Sequence, residues 1–208
     1  VAAAHRLCVL PIALSADNFR EVLTSKLRMG DFLLNLSFDV SSLDLIGLTL
    51  ELNVFYVDTC LEPWPGGHWN DALPPSERTN YAFREKALAA GRRHRSAATA
   101  IINFGANPGL VSQLLKQAML DMRSKICPQV SIPETRQQWA SLAKQLDIKV
   151  IQISERDNQQ SSRRKRIGEF VNTWSVDAFV AEGLQPAELG WGTHERLFPC
   201  DGAPHTFG

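Results

Sequence analysis

The sequence lacks several features that would assign it to whole classes of protein. Its 208 residues carry 22 basic and 22 acidic side chains, so no net charge favours a nucleic-acid partner. No apolar run approaches the ~20 residues needed to cross a bilayer, and we expect neither a membrane partner nor a secretion signal. The patterns H-E-x-x-H and G-x-S-x-G and the P-loop are absent. Their absence argues against zinc proteases, α/β-hydrolases and nucleoside triphosphatases.

Cysteine is scarce and scattered. The four cysteines, at positions 8, 60, 127 and 200, have neither zinc-site nor redox C-x-x-C spacing. We therefore expect free thiols in a reducing cytoplasm and no bound metal.

Apolar strand-like runs alternate with helix-like segments along the first 120 residues. Strands are predicted at Asp31–Phe38, Val54–Cys60 and Thr99–Phe104, because continuous apolarity is typical of parallel strands covered on both faces. Helices are predicted to begin near Ser15 and Ser41 and to cover Glu77–Ala90 and Leu110–Met122. This order predicts an α/β fold with a largely parallel, Rossmann-like sheet.

A change of character near Cys127–Glu134, which contains Pro128 and Pro133, predicts a domain boundary. We expect residues 1–127 to form the sheet domain and residues 128–208 to begin a second, α+β domain. That second part is predicted to contain a helix at Thr135–Leu146 and strands at Lys149–Ser154 and Phe170–Trp174.

A dinucleotide-binding sheet usually carries G-x-G-x-x-G after its first strand, where backbone amides contact the pyrophosphate. The sequence has no such motif, and Gly105–Gly109 has the wrong spacing. From the pattern alone, a Rossmann-like sheet is predicted but NAD binding is not. The first residue is Val1 and the last stretch, after Gly183, is rich in glycine and proline. These features lead us to expect an incomplete sheet and a fragment of a longer protein.

Three acids and one indole are candidate ligand contacts. Glu62 follows a predicted strand, where open α/β sheets bind ligands, although the sequence alone slightly favours a solvated loop carboxylate. Glu155 lies in Ser154–Asp157, a pattern more often found in a local ion-pair cluster. Trp174 and Glu182 together would suit an alkylammonium group, whereas a lone tryptophan more often belongs to the core.

Longer strings along the chain resemble the bacterial homospermidine synthases, which are saccharopine-dehydrogenase-like enzymes. These strings occur in family order across nearly the whole chain, and the last is the most specific. They are Asn35-Leu-Ser37, Asp58-Thr-Cys-Leu-Glu-Pro-Trp64, Thr79-Asn-Tyr-Ala-Phe-Arg-Glu85, Gly105-Ala-Asn-Pro-Gly-Leu-Val-Ser112, Ile153-Ser-Glu-Arg-Asp157, Asn172-Thr-Trp-Ser-Val-Asp177 and Glu182-Gly-Leu-Gln-Pro-Ala-Glu-Leu-Gly-Trp-Gly-Thr-His-Glu195.

The resemblance implies an NAD-binding Rossmann domain followed by a second domain with a polyamine pocket, assembled as a homodimer. It also implies a reaction that joins two putrescine molecules into homospermidine with release of ammonia. NAD takes a hydride from an amine-bearing carbon, a second putrescine replaces ammonia on the resulting imine, and the hydride returns. The family's glycine-rich first βα unit and its long C-terminal portion would lie outside this chain.

The resemblance also implies roles for matched residues. Glu155 and Asn107 fall at the reacting amine, which must lose a proton from an ammonium of pKa ~10.4 before it can lose hydride. Trp174 and Glu182 fall where the cationic substrate is held. Predicted cofactor contacts are Asn35, Ser37, Asp58, Thr59 and Glu62.

Two other interpretations stay open at this stage. One is an inactive, truncated remnant or an interaction module, which the missing pyrophosphate motif favours. The other is a related saccharopine-dehydrogenase-like reductase that acts on another amine or amino acid. An arginine clamp for a substrate carboxylate would support a reductase, whereas carboxylates with an indole favour a purely cationic substrate such as a diamine.

Overall fold

A computed structural model describes residues 8–94, 97–172, 176–184, 195–202 and 204. Three strands and six helices follow one another in the order α1 Phe19–Lys26, β1 Phe32–Asn35, α2 Ser42–Leu52, β2 Phe55–Asp58, α3 Asn80–Arg93, β3 Ala100–Ile101, α4 Leu110–Ile126, α5 Arg136–Gln145 and α6 Val176–Leu184. Two short 3-10 turns, Gly67–Trp69 and Pro75–Glu77, lie between β2 and α3. Within these ranges no helix is long and apolar enough to cross a membrane.

The strands form one parallel sheet in the order β1-β2-β3. Leu33 of β1 pairs with Tyr56 of β2, and Tyr56 pairs with Ala100 of β3. Because parallel strands joined by helices end at the same edge, the loops after all three strands meet there. The predicted α/β fold with a Rossmann-like parallel sheet is confirmed.

One face of the sheet carries the main core. Leu33, Tyr56 and Ala100 lie on this face and belong to one hydrophobic cluster with side chains of α1, α2 and α3. The buried members of the cluster are Val40, Leu45, Ile46, Leu50, Tyr56, Leu61, Phe83 and Ala87. The opposite face is exposed at Phe32 and Leu34, so the expectation that β1 is covered on both faces is wrong for the described residues. A continuously apolar strand can be buried on both faces, but its sequence does not predict whether another helix or sheet packs on the second face.

Helix α2 connects β1 to β2 and begins beside the strand ends. Its N-cap is Ser41, whose hydroxyl accepts a hydrogen bond from the Asp44 amide at 3.2 Å. Its C-cap is Asn53, which has the left-handed conformation, with φ of 54°. The first helical residue, Ser42, is fully buried and its amide donates to the Glu62 carbonyl at 2.8 Å. The start of α2 is therefore tied to the loop that follows β2.

A second, smaller cluster joins α4 to α5. Its buried side chains are Met119, Cys127, Leu142 and Leu146. Thr135 begins α5 with a capping box in which Gln138 returns the hydrogen bond. This cluster contains residues from both sides of the predicted boundary at 127/128.

The predicted strand at Lys149–Ser154 is wrong, because residues 148–172 contain neither helix nor strand. Phe170–Asn172 are likewise not a strand, and the last two residues of that prediction lie outside the described residues. Val150 and Ile151 are exposed. An apolar run forms a strand only when a neighbouring strand pairs with its backbone, and sequence pattern alone does not indicate such a neighbour.

Candidate functional site

The candidate site lies at the carboxyl ends of the three strands. The segments after β1 (36–41), after β2 (59–66) and after β3 (102–109) meet at this edge of the sheet. Ligands of open α/β sheets bind at this edge, and most of the predicted site residues lie here.

A buried chain of hydrogen bonds supports the edge from below. The Asn35 side-chain amide donates to the Tyr56 hydroxyl at 3.1 Å, and that hydroxyl donates to the Asp58 carboxylate at 2.9 Å. The other Asp58 oxygen accepts a hydrogen bond from the backbone N–H of Asn103 at 2.7 Å. Asn35 of β1 and the β2 residues Tyr56 and Asp58 therefore form one hydrogen-bonded series, which fixes the start of the loop after β3.

Burial is the largest influence on the pKa values of Asp58 and Tyr56 in this hydrogen-bonded series. It raises the pKa of the Asp58 carboxyl, although the Asn103 amide and the Tyr56 hydroxyl oppose that shift by stabilising the charged form. Burial, reinforced by the Asp58 charge, also raises the pKa of the Tyr56 hydroxyl. Tyr56 is therefore a neutral hydrogen-bond donor at any physiological pH.

The structure adds residues to this edge that the sequence did not suggest. The Asn103 side chain accepts from the Leu61 amide at 3.0 Å, and the Ser42 hydroxyl accepts from the Glu62 amide at 3.0 Å. Each polar side chain thus connects two neighbouring segments. Asn103 lies inside the predicted strand Thr99–Phe104, whereas β3 ends at Ile101, so the pattern gave no signal for it. The role of Ser42 likewise depends on three-dimensional contact.

The loop after β3 approaches the loop after β2 closely. A Cβ on Gly105 would lie 2.7 Å from the Thr59 carbonyl oxygen, so only glycine fits there. Gly109, with φ of 131°, adopts a conformation that other residues rarely take. Between these glycines lies Asn107, which is exposed. The structure therefore brings Thr59 and the Asn107 loop together at the edge.

Glu62 faces an unexpected partner, His68. The Glu62 side chain is 15% exposed, and its Oε2 lies 3.7 Å from His68 Nε2. The other ring nitrogen, Nδ1, lies 3.5 Å from the Arg78 carbonyl oxygen. The His68 ring packs edge-on against Phe83, with 5.4 Å between ring centroids. The sequence pattern gave no sign of this pair, because only the tight turn after Pro63 brings the ring back to Glu62.

Glu182 approaches the same edge from α6. Helix α6 contacts the 3-10 turn that contains His68. Burial raises the pKa of the Cys60 thiol to about 12, and the charges of Glu62, Asp58 and Glu182 contribute. The Cys60 thiol therefore experiences carboxylates from both the sheet loop and α6.

We expect Cys60 to react slowly with iodoacetamide. A thiol with a pKa of about 12 contains far less thiolate at pH 8 than an ordinary cysteine, and the thiolate is the nucleophile. Alkylation of Cys60 should be at least roughly 100-fold slower than that of exposed Cys200, followed by peptide mass spectrometry.

Unfolding in denaturant provides the control for this prediction, since both thiols should then react at similar rates. A rate for Cys60 in the folded chain within tenfold of that of Cys200 would contradict the electrostatic description of the edge.

The other predicted residues have different environments. Ser37 is exposed, and both its amide and its hydroxyl donate to the Asn35 side-chain oxygen. Glu155 is exposed within the irregular segment 148–172. Trp174 lies outside the described residues. The structure therefore brings together Thr59, Glu62, Asn107 and Glu182 with the buried Asn35–Asp58 chain, but it does not gather Glu155 and Trp174 with them.

Carboxylates without an equal number of cations suit a positively charged ligand. The described residues contain no cluster of three or more metal-ligating side chains. Among them, Glu62 pairs with the buried His68 ring, while the Glu182 side chain is exposed. Carboxylates bind ammonium groups through charge-assisted hydrogen bonds.

The chain is similar to known proteins over nearly its whole length. The family model for the saccharopine dehydrogenase NADP binding domain matches residues 1–102. The homospermidine synthase of Blastochloris viridis is 47% identical over 199 residues, which cover 94% of this chain and 42% of that protein. That of Mesorhizobium japonicum is 42% identical over 201 residues, which cover 94% of this chain and 41% of that protein.

A solved structure gives the same result. The crystal structure of the homospermidine synthase from Legionella pneumophila in complex with NAD matches with a TM-score of 0.80 at 39% identity, covering 99% of this chain and 42% of that one. The resemblance expected from the sequence is confirmed, and the chain spans about two fifths of the length of these relatives.

Proposed function

We propose that this chain, which resembles homospermidine synthases over nearly its whole length, is the part of such an enzyme where NAD and a diamine meet. The reaction converts two putrescine molecules into homospermidine and ammonia through imine intermediates. The observation that carries the proposal is the contact of α6, which contains Glu182, with the turn whose His68 faces Glu62 at the carboxyl ends of a parallel sheet. A dinucleotide binds at that edge in such sheets, so two carboxylates there place an ammonium beside it.

The residues at this edge fit a nicotinamide dinucleotide. The three strands end together, and the glycines of the Gly105–Gly109 loop allow its backbone to lie directly against Thr59. NAD, when bound, supplies the acceptor and donor of the hydride. Ser37, Thr59 and Asn107 present polar groups toward the cofactor. For Asn35 and Asp58, also predicted as cofactor contacts, the hydrogen bonds to Tyr56 favour an indirect part in which they fix the loops.

Glu182 and Glu62 each bind one end of the diamine. Glu182 holds the ammonium that does not react, because its exposed carboxylate on α6 is free to approach a ligand at the edge. Glu62, which the resemblance placed among the cofactor contacts, is assigned here to the diamine instead. It adds negative charge beside the strand ends, so that a diammonium ligand contacts opposite charge at both of its ends. A monoammonium ligand makes one of these contacts, and the preference is therefore for a diamine.

Deprotonation of the reacting ammonium group, which must precede hydride loss from the adjacent carbon, needs a proton acceptor. We assign that role to Glu155, with Asn107 orienting the amine through its side-chain amide. Trp174 faces the cationic intermediate, where an indole contributes about 1–2 kcal/mol when water is excluded. Support for these three roles comes from their positions in the strings that resemble the family.

The remaining features of the proposal concern organisation. Residues 1–127 belong to the cofactor-binding domain and residues 128–208 begin the substrate and dimerisation domain of a cytoplasmic homodimer. The four free thiols fit a reducing compartment.

A titration of putrescine into the purified chain, in the presence of NAD, tests the proposal. n-Butylamine, which has the same carbon length but one ammonium, is the matched control ligand. We expect putrescine to bind at least roughly tenfold more tightly than n-butylamine, and Glu182→Gln to remove that preference while leaving n-butylamine binding unchanged.

Two results would count against the proposal. Equal affinities for the two amines would show that a second ammonium is not recognised. Absence of binding by a cooperatively folded chain would favour an inactive remnant or an interaction module.

A further inference from the structure

We propose that His68 is a positioning residue, which holds the Glu62 carboxylate toward the carboxyl ends of the strands. The part of this inference that concerns diamine binding rests on the proposed function, whereas the positioning itself does not.

The backbone of Glu62 is fixed before its side chain is considered. Its amide donates to the Ser42 hydroxyl at 3.0 Å, and its carbonyl accepts from the Ser42 amide at 2.8 Å. What stays open is the direction of the carboxylate. A carboxylate that is 15% exposed requires a compensating partner, and the ring nitrogen of His68 at 3.7 Å is in place to supply it.

The His68 ring is itself held on several sides. The residue is 5% exposed, its Nδ1 faces the Arg78 carbonyl, and its edge packs on Phe83. A ring restrained in this way keeps its Nε2 in one place. Glu62 is therefore directed by a rigid group, which is the requirement for a precisely oriented side chain in a binding site.

Local sequence explains how the ring reaches Glu62. Gly66 has a φ of 82°, and a Cβ on Gly67 would lie 2.4 Å from the Pro63 side chain. Two consecutive glycines thus allow the chain to reverse tightly after Pro63 and bring the next residue back beneath Glu62. The same turn contacts α6, which contains Glu182, so one short segment contacts both Glu62 and the helix of the second carboxylate.

Cys60 reports on the position of Glu62 without any ligand, because Glu62 helps to raise the pKa of its thiol. The experiment compares Cys60 alkylation by iodoacetamide at pH 8 in the full chain and in variants, with Cys200 as internal reference. His68→Gln places an amide donor near the position of Nε2, whereas His68→Asn is too short and replaces only Nδ1. These two variants form a matched polar pair, and His68→Phe preserves the ring without its nitrogens.

Glu62→Gln should accelerate Cys60 alkylation by roughly threefold or more, since it removes a negative charge next to the thiol. His68→Asn and His68→Phe should accelerate it similarly, with no further gain when either is combined with Glu62→Gln. His68→Gln should stay near the wild-type rate. If either His68→Asn or His68→Phe does not unfold cooperatively, the alkylation rate of the other variant tests the inference.

The inference would be overturned if Cys60 is alkylated at the wild-type rate in His68→Asn and His68→Phe. It would also be overturned if the acceleration in these variants adds fully to that of Glu62→Gln. A purely structural histidine would give additive effects, because its loss would act on Cys60 independently of Glu62. In the presence of NAD, His68→Asn should weaken putrescine binding as much as Glu62→Gln does, with no further loss in the double variant. If the wild-type chain takes no putrescine, the proposed function fails, while the alkylation rates still decide the role of His68.

Discussion

Replacing Asp58 with alanine is expected to lower the free energy of unfolding by about 3 kcal/mol, because it leaves two buried donors without an acceptor. These donors are the Tyr56 hydroxyl, 2.9 Å from the carboxylate, and the Asn103 amide, at 2.7 Å. Asp58 is fully buried, so water does not replace the lost carboxylate. Urea unfolding followed by circular dichroism measures the change.

Asp17→Ala is the matched control, because Asp17 is an exposed aspartate in the same part of the chain. Its effect should stay within about 0.5 kcal/mol. A similar loss for both variants would mean that the Asn35–Tyr56–Asp58 chain does not support the edge of the sheet.

The same carboxyl has a definite effect on pH dependence. Burial raises the pKa of Asp58 in the folded chain, so the folded state holds this proton more tightly than the unfolded state does. The stability contributed by the protonated group is present below the unfolded pKa and is lost as pH rises through the folded pKa. Relative to Asp58→Asn, whose side chain does not titrate, the wild type should lose stability over that range. A constant difference would contradict the shift.

Leu45→Ala is expected to lower the free energy of unfolding by about 3 kcal/mol, because it leaves a cavity in the main cluster. Leu45 is 2% exposed on α2, where it packs among the side chains that cover one face of the sheet. A small sheet with one covered face has little surplus stability, so this one substitution should remove much of the cooperative transition. Differential scanning calorimetry would detect that loss.

Leu114→Ala on α4 provides the matched control, since that leucine is 62% exposed. Its effect should be small, because alanine is also a good helix former. An equal loss from both substitutions would contradict the assignment of the main core to the covered face of the sheet.

Sequence pattern predicted the parts of the fold that depend on local chemistry. β1, β2 and β3 lie inside the predicted strands, and α5 lies inside the helix predicted at Thr135–Leu146. The predictions that failed concern strand pairing and burial, which depend on contacts with residues distant in sequence. Within the part of the chain that the structure describes, no strand pairs with the apolar residues at 149–154. Phe32 and Leu34 face outward because the described helices cover the other side.

The site divides in the same way. Glu62 follows β2, so its position after a strand was enough to suggest it. Asp58, Thr59 and Asn107 were suggested by the family strings that contain them. His68, Ser42 and Tyr56 were missed, because their importance comes from contacts with residues 6 to 21 positions away, such as the Ser42–Glu62 hydrogen bond. No periodicity or motif spacing contains that information.

The most direct test of the central proposal is a map of putrescine contacts on the chain by amide NMR. Putrescine should shift amide signals in residues 59–68, 103–109 and 176–184, which form the strand ends and α6, and leave α5 unchanged. Shifts spread over exposed acids throughout the chain, or concentrated on α5, would contradict the proposal that the carboxyl edge of the sheet and α6 form one diamine site.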